Sequence, residues 1–179
     1  MAAFDFKKEY RELYLPTGQP QIVDVPEMRF IMVEGKGNPN TSESYKEAVE
    51  ILYGLSYSIK MSKKGDKVPE GYFDYVVPPL EGLWWFENNY FDGNVIGRKD
   101  EFVWIMMIRQ PEFVTQEVFE TAKEVLARKK PELNLSRARL QDFKEGLCAQ
   151  VMHIGSYDDE GPTVAALEEF IESQGYRTV

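Results

Sequence analysis

Trp84 and Trp85 stand side by side near the end of Asp74-Tyr-Val-Val-Pro-Pro-Leu-Glu-Gly-Leu-Trp-Trp-Phe86, and few arrangements accommodate such a pair. Successive residues of a strand point to opposite faces of its sheet, so the two indoles look in different directions and only one of them fits in a core. The other lines a surface or a cavity. Aromatic walls carrying a few polar groups make pockets for flat organic molecules. The competing arrangement is a bulge or edge strand whose second tryptophan covers a neighbouring loop.

The length of 179 residues suits one domain, or one domain built from two related halves. A chain of this size buries roughly 70% of its unfolded surface and needs no disulfide or metal to fold. With Cys148 as the single cysteine and His153 as the single histidine, no intramolecular disulfide is possible and a His/Cys zinc site is a poor fit. No metal or other cofactor is expected. The start, Met1-Ala-Ala-Phe-Asp-Phe-Lys-Lys8, has no continuous apolar stretch of the secretory kind. Nowhere does an apolar run approach the ~18 residues of a membrane span. The expectation is a soluble cytoplasmic protein.

Charge argues against a nucleic-acid partner. There are 21 Lys and Arg against 30 Asp and Glu, a net charge of −9, whereas DNA binding draws on clustered cations that displace counterions from phosphates. The short basic clusters Lys60–Lys64 and Arg128–Lys130 fall at the ends of expected helices, where cations favour the negative end of the helix dipole. Neither nucleic acid nor membrane is expected as a partner. The acidic balance permits a cationic or neutral ligand.

Hydrophobic periodicity orders the elements. A proline-spaced lead-in (Pro16, Pro20, Pro26) precedes a strand at Met28–Glu34, which Gly35-Lys-Gly-Asn-Pro-Asn40 ends. Thr41 or Ser44 caps a helix, Ser44 and Glu47 fitting a capping box. The apolar face of that helix runs Tyr45, Ala48, Val49, Leu52, Leu55, Ile59. Residues 72–86 and 101–109 read as two strands joined by a polar loop over 88–100. Thr115 caps a second amphipathic helix reaching about Lys130. Residues 131–146 read as a short helical piece ending at Gly146. A strand at Cys148–Ile154 and a helix over Thr163–Gln174 follow, with Gly175 in the helix C′ position.

Met32-Val-Glu-Gly35 and Met152-His-Ile-Gly155 occupy the same place in the order strand, glycine, proline, helix. The chain therefore reads as two related units, about 26–110 and about 147–179, within a single domain over 1–179. The fold class expected is α+β: pseudo-symmetric strand-helix-strand-strand units forming an antiparallel sheet groove, backed by helices over 41–60 and 163–174. Only strand and helix of the second unit are visible, so that unit reads as truncated.

Val25-Pro26 and Gly35-Lys-Gly-Asn-Pro39, then Tyr75-Val-Val-Pro-Pro-Leu-Glu-Gly-Leu-Trp84, then His153-Ile-Gly-Ser-Tyr157, in that order, resemble the GyrI-like small-molecule-binding family, over nearly the whole chain from about residue 10. The likeness is greatest to its stand-alone branch, which lacks a DNA-binding domain. The Pro-Leu-Glu-Gly-Leu-Trp run is the most specific part. This resemblance implies sheets that meet around an aromatic, acid-bearing ligand groove. It also implies an activity found in some stand-alone members, the cyclopropanoid cyclohydrolases, which open the strained ring of DNA-alkylating natural products with water. In the family the second unit usually continues into a hairpin bearing a glutamate followed by an aromatic residue, commonly the acid of the groove. No residue of this sequence matches that glutamate.

Candidate site residues follow from chemistry. Glu81 stands between Leu80 and Gly82 in an apolar run. A carboxylate that loses water there has its pKa raised towards neutrality, as a general acid or base requires; a solvent-facing turn at the strand end is the plainer alternative. On period two, Phe102, Trp104, Met106 and Ile108 share one strand face, with Val103, Ile105, Met107 and Arg109 on the other. Trp104 and Met106 are expected to form the adaptable ligand wall, with the second face against the helices. Trp84 or Trp85 adds an aromatic wall. Tyr75, or Tyr53 or Tyr57 from the first helix, supplies a phenolic donor, and Met152 joins the apolar lining. Arg109 reads as a surface ion-pair residue, His153 as a satisfied structural histidine, and Cys148 as a small buried apolar residue. The expected ligand is a planar hydrophobic small molecule; its hydrolysis rests on the resemblance alone.

Overall fold

The aromatic-spotted lead-in folds as two single-turn helices in the computed structural model, which describes residues 3–65, 68–86 and 98–178. These are α1 (Phe6–Glu9) and α2 (Arg11–Tyr14), and the Asp5 carboxylate accepts from the Lys7 amide to start α1. A 16-residue strand follows, β1 (Gln21–Lys36), longer at both ends than the expected Met28–Glu34. The stretch before Arg29 pairs with the last strand on one side only. Pro26 therefore sits where its missing N–H leaves no ladder bond unmade, and the strand runs through it.

Helix α3 (Glu43–Met61) begins at neither Thr41 nor Ser44: the Ser42 hydroxyl accepts from the Tyr45 amide and is the N-cap. Strand β2 is confined to Leu80–Phe86. Among the described residues, 72–79, expected as strand, join a β-bridge only where Tyr75 pairs with Phe4 in parallel, because Pro78 and Pro79 cannot donate to a ladder. Most of the expected loop over 88–100 lies outside the described residues. Strand β3 (Phe102–Arg109) and helix α4 (Gln116–Lys129) fall as expected, with the Thr115 hydroxyl accepting from Val118.

Beyond α4 the expectation fails. Residues 138–146 are not helical but the first two-thirds of a 13-residue strand, β4 (Ala138–Gln150). Its residues pair antiparallel with β1 from Ala138 against Val33 to Gln150 against Gln21. Sheet pairing outweighs the weak helical spacing of this polar segment. Gly146 has φ of 79° within that strand rather than at a helix end. Helix α5 (Gly161–Ser173) follows. Gly175 takes φ of 78°, the Gly175 amide bonds Glu172 and the Tyr176 amide bonds Ile171, which is the Schellman closure expected of that glycine.

The four strands form one curled antiparallel sheet in the order β2-β3-β1-β4, so the fold is α+β. One face is covered by α3 and α4. There Ile31 and Val33 of β1 and Trp104, Met106 and Ile108 of β3 bury against Ile51, Leu52, Leu55 and Ile59 of α3 and Phe119, Ala122 and Leu126 of α4. Each fully buried aliphatic side chain in that layer contributes ~1.5–3 kcal/mol. Helix α5, expected behind the sheet beside α3, instead lies against β4 with none of its residues buried. A second, smaller apolar cluster of Phe30, Met32 and Met107, with Met28, Leu83, Ile105 and Phe143, occupies the opposite sheet face. Among the described residues no helix is long and apolar enough to cross a membrane.

Candidate functional site

Sheet register decides which side chains can meet. In an antiparallel ladder directly paired residues share a face. Glu81 pairs with Met107, Leu83 with Ile105 and Trp85 with Val103, whereas Gly82 pairs with Met106 and Trp84 with Trp104. Met107 belongs to the small cluster away from the helices and Met106 to the helix-covered core. Glu81, Leu83 and Trp85 therefore stand on the face away from α3 and α4, and Trp84 on the face towards them.

On that open face is a cavity of about 220 Å³. Its apolar lining includes Leu13, Val25, Met28, Phe30, Met107 and Phe143, and its polar groups come from Tyr14, Glu81, Glu145, Cys148 and Gln150. Glu81 is carried in by the edge strand β2, and Tyr14 by the last residue of α2. The Tyr14 hydroxyl donates to Glu81 Oε1 at 3.3 Å. Burial raises the Glu81 pKa and the nearby Glu145 adds to the rise; the Tyr14 hydrogen bond and the Arg109 charge pull it down, leaving it at about 7 against an ordinary 4.5. At neutral pH this carboxyl is thus close to half ionised, the condition in which a side chain both accepts and returns a proton. Burial and the Glu81 charge push the Tyr14 phenol well above its usual value, so Tyr14 remains a donor. Burial likewise pushes the Cys148 thiol up to about 11, which keeps it in the unreactive protonated form.

Several expected site residues stand elsewhere. The faces of β3 are the reverse of those expected: Trp104 is 0% exposed and packs with Met106 against the helices, while Met107 reaches the cavity. Both faces of this strand are apolar, so side-chain type did not decide between them. Gly35 does. It lies opposite Trp104 in β1, and a Cβ there would stand 2.3 Å from the indole; the bare backbone leaves room for the ring, whose Nε1 donates to the Gly37 carbonyl at 3.2 Å. Tyr75 is fully buried among Phe6, Phe73 and Phe113. Tyr53 stacks on Tyr57 along α3, and Met152 lies past the end of β4, partly exposed. None of these lines this cavity.

Trp84 leans on Tyr45 and Phe102 at ring-centroid distances of 5.8 and 5.4 Å and folds back over Gly82, where a Cβ would lie 2.6 Å from its Nε1. Neither indole is in the core as one was expected to be: Trp84 is 39% and Trp85 38% exposed, the latter two positions beyond Leu83 on the Glu81 face. Arg109 is not a surface ion-pair residue. It is buried, its guanidinium 4.6 Å from the Phe6 ring and 4.4 Å from the Tyr10 ring. His153 is held by Thr163 and the Ser156 carbonyl, each at 2.9 Å, and fastens the loop before α5.

Sequence reasoning missed Tyr14, Glu145, Met107 and Phe143. The last two follow from the reversed faces and from the helix expected where β4 runs. Tyr14 had a weak signal, the run of aromatics at Phe4, Phe6, Tyr10 and Tyr14, which is denser than a solvated tail carries. Among the described residues no group of His, Cys, Asp and Glu is arranged to hold a metal ion.

Comparison with known proteins agrees with this architecture. Solved structures resembling the chain include a hydrolase from Listeria innocua, at 46% identity over 96% of this chain and 81% of that one, TM-score 0.86. An uncharacterized conserved protein from Listeria innocua matches at 47% identity over 96% of this chain and 82% of that one, TM-score 0.89. No curated relative matches. The model of the GyrI-like small molecule binding domain matches residues 18–179, and with strands β1 to β4 all inside that span, the chain belongs to the GyrI-like family.

Proposed function

We propose that this protein binds flat hydrophobic small molecules in the cytoplasm and hydrolyses those that carry a strained cyclopropane ring, as a detoxifying cyclopropanoid cyclohydrolase. The observation that carries this reading is Glu81: a half-buried carboxyl with a pKa of about 7 in the wall of a cavity that mixes apolar side chains with a few polar groups. A volume of about 220 Å³ takes the reactive end of a polycycle rather than the whole, since drug-sized ligands fill roughly 300 Å³ or more. Leu83 and Trp85, continuing along the same face of β2, offer the rest of the ligand an apolar surface. Each aromatic contact there adds ~0.5–1.5 kcal/mol beyond area burial. The solved relative described as a hydrolase from Listeria innocua supports a hydrolytic chemistry for this chain.

In the proposed reaction the ionised Glu81 takes a proton from water as the water oxygen bonds to the cyclopropane methylene. The ring C–C bond breaks, and its electron pair moves through the conjugated system onto the carbonyl oxygen, which ends protonated as a phenol. The product is the substrate plus one water. Ring strain drives the step, so a positioned base contributing ~10²–10⁴-fold is enough. The alternative is a sequestering module, favoured by the family's description as a binding domain. Incubation with a cyclopropane-fused cyclohexadienone and mass spectrometry separates the two: a gain of one water supports hydrolysis, and unchanged ligand recovered from a tight complex supports sequestration.

A further inference from the structure

The family match begins at residue 18, yet Leu13 and Tyr14 line the cavity. The segment from Phe4 to Leu15 is tied down on two sides. Phe4 exchanges backbone hydrogen bonds with Asp74 and Val76, both at 2.8 Å, ahead of β2, and Gln150 of β4 donates to the Glu12 carbonyl at 2.6 Å. Between these ties Phe6 and Tyr10 place their rings against the Arg109 guanidinium, and Tyr14 meets Glu81. Arg109 Nη1 has no hydrogen-bond partner among the described residues, so this nitrogen is not taken up by another carboxylate.

We propose that the N-terminal segment is a working wall of the site, in which Tyr14 and Arg109 are positioning residues that hold the Glu81 carboxylate ready for proton transfer. A carboxyl in an apolar wall with nothing to stabilise its charge can be held neutral past pH 7, where it no longer serves as a base. Here Tyr14 of α2 donates at 3.3 Å, and Arg109 stands two residues from Met107, the ladder partner of Glu81, on the same face of β3; donor and cation stabilise the ionised form against the opposing charge of Glu145 from β4. Cys148, the other titratable group of the cavity wall on β4, is neutral over this range. Phe6 and Tyr10 fix Arg109 through ring contacts of the cation–π kind, strongest where water is excluded. The Tyr14 bond is long, as acid–base contacts often are before a ligand closes the site.

The inference deepens the hydrolytic reading by naming what sets its base, and its test needs no substrate. The Glu81 side-chain carboxyl carbon is followed by NMR against pH in the ligand-free protein, assigned by its loss in Glu81→Gln. Tyr14→Phe, which removes one hydroxyl and preserves packing, raises the Glu81 midpoint by ~0.5–1 unit. Arg109→Met raises it as well, and Arg109→Lys, which keeps the charge, restores it at least in part. An unmoved midpoint in Tyr14→Phe overturns the assignment of Tyr14, and an unmoved midpoint in folded Arg109→Met overturns that of Arg109. Because the titration is read without ligand, a shifted midpoint in a protein that leaves cyclopropanoids intact sinks the hydrolytic reading alone. Turnover with an unshifted midpoint sinks only the positioning role.

Discussion

Gly35 on β1 lies directly opposite Trp104 on β3, and the indole fills the space in which a Cβ would stand 2.3 Å away. This pair fixes which face of the sheet belongs to the helices. Gly35→Ala forces the indole or the strand to shift and is expected to lower stability by ~1–3 kcal/mol. Trp104→Ala leaves a void and costs ~3–5 kcal/mol. Chemical denaturation of the two single variants and the double variant is the check: the costs fall short of adding, because the alanine at 104 removes the clash at 35.

Trp84 and Trp85 separate by face. Trp84→Ala removes contacts with Tyr45 and Phe102 and is expected to lower stability by ~1–3 kcal/mol with little change in ligand affinity. Trp85→Ala is expected to do the opposite, weakening a planar aromatic ligand by ~0.5–1.5 kcal/mol while leaving the melting temperature nearly unchanged. Fluorescence titration and thermal melts of both variants test the contrast.

The sequence was most informative where one residue type admits one explanation. Adjacent tryptophans had to face apart, Thr115 had to cap α4, and Gly175 had to close α5, as each does. It was least informative where two faces looked alike. On β3 both alternate sets are apolar, and the deciding residue, Gly35, sits some 70 positions away in sequence. In β4 the polar stretch Gln141–Gly146 carries no clean alternation, because its strand forms the sheet edge and, among the described residues, pairs with β1 alone. Glu81 was singled out from the apolar run around it. Tyr14 left only the weak signal of its aromatic run, and Arg109 none, because a separate segment and a separate strand bring them to Glu81.

The raised Glu81 pKa has a consequence for stability. The folded-state value of about 7 exceeds the ordinary 4.5, so the folded protein binds the proton more tightly than the unfolded chain. This contribution is complete below about pH 4.5 and is lost as pH rises through 7, a decline worth ~3 kcal/mol at most. Glu81→Gln, which cannot ionise, is expected to lose none of it. Urea midpoints of the two proteins should therefore diverge between pH 5 and 8, with the variant gaining relative to the wild type as pH rises.

Cys148 offers a reporter of occupancy. Its thiol lines the cavity and titrates only near pH 11, so alkylation by iodoacetamide at pH 7.5 should be slow against a free thiol, which titrates near 8.5. A ligand that fills the cavity should slow it further, measured by intact-mass time courses with and without a planar aromatic compound.

If Glu81 serves as the acid–base group of this cavity, the rate of water addition to a cyclopropane-fused cyclohexadienone must differ between wild type and Glu81→Gln. The variant is expected to bind the compound with nearly wild-type affinity, since shape is preserved, yet to turn it over ~100-fold more slowly or worse. Equal rates in the two proteins would contradict that role of Glu81.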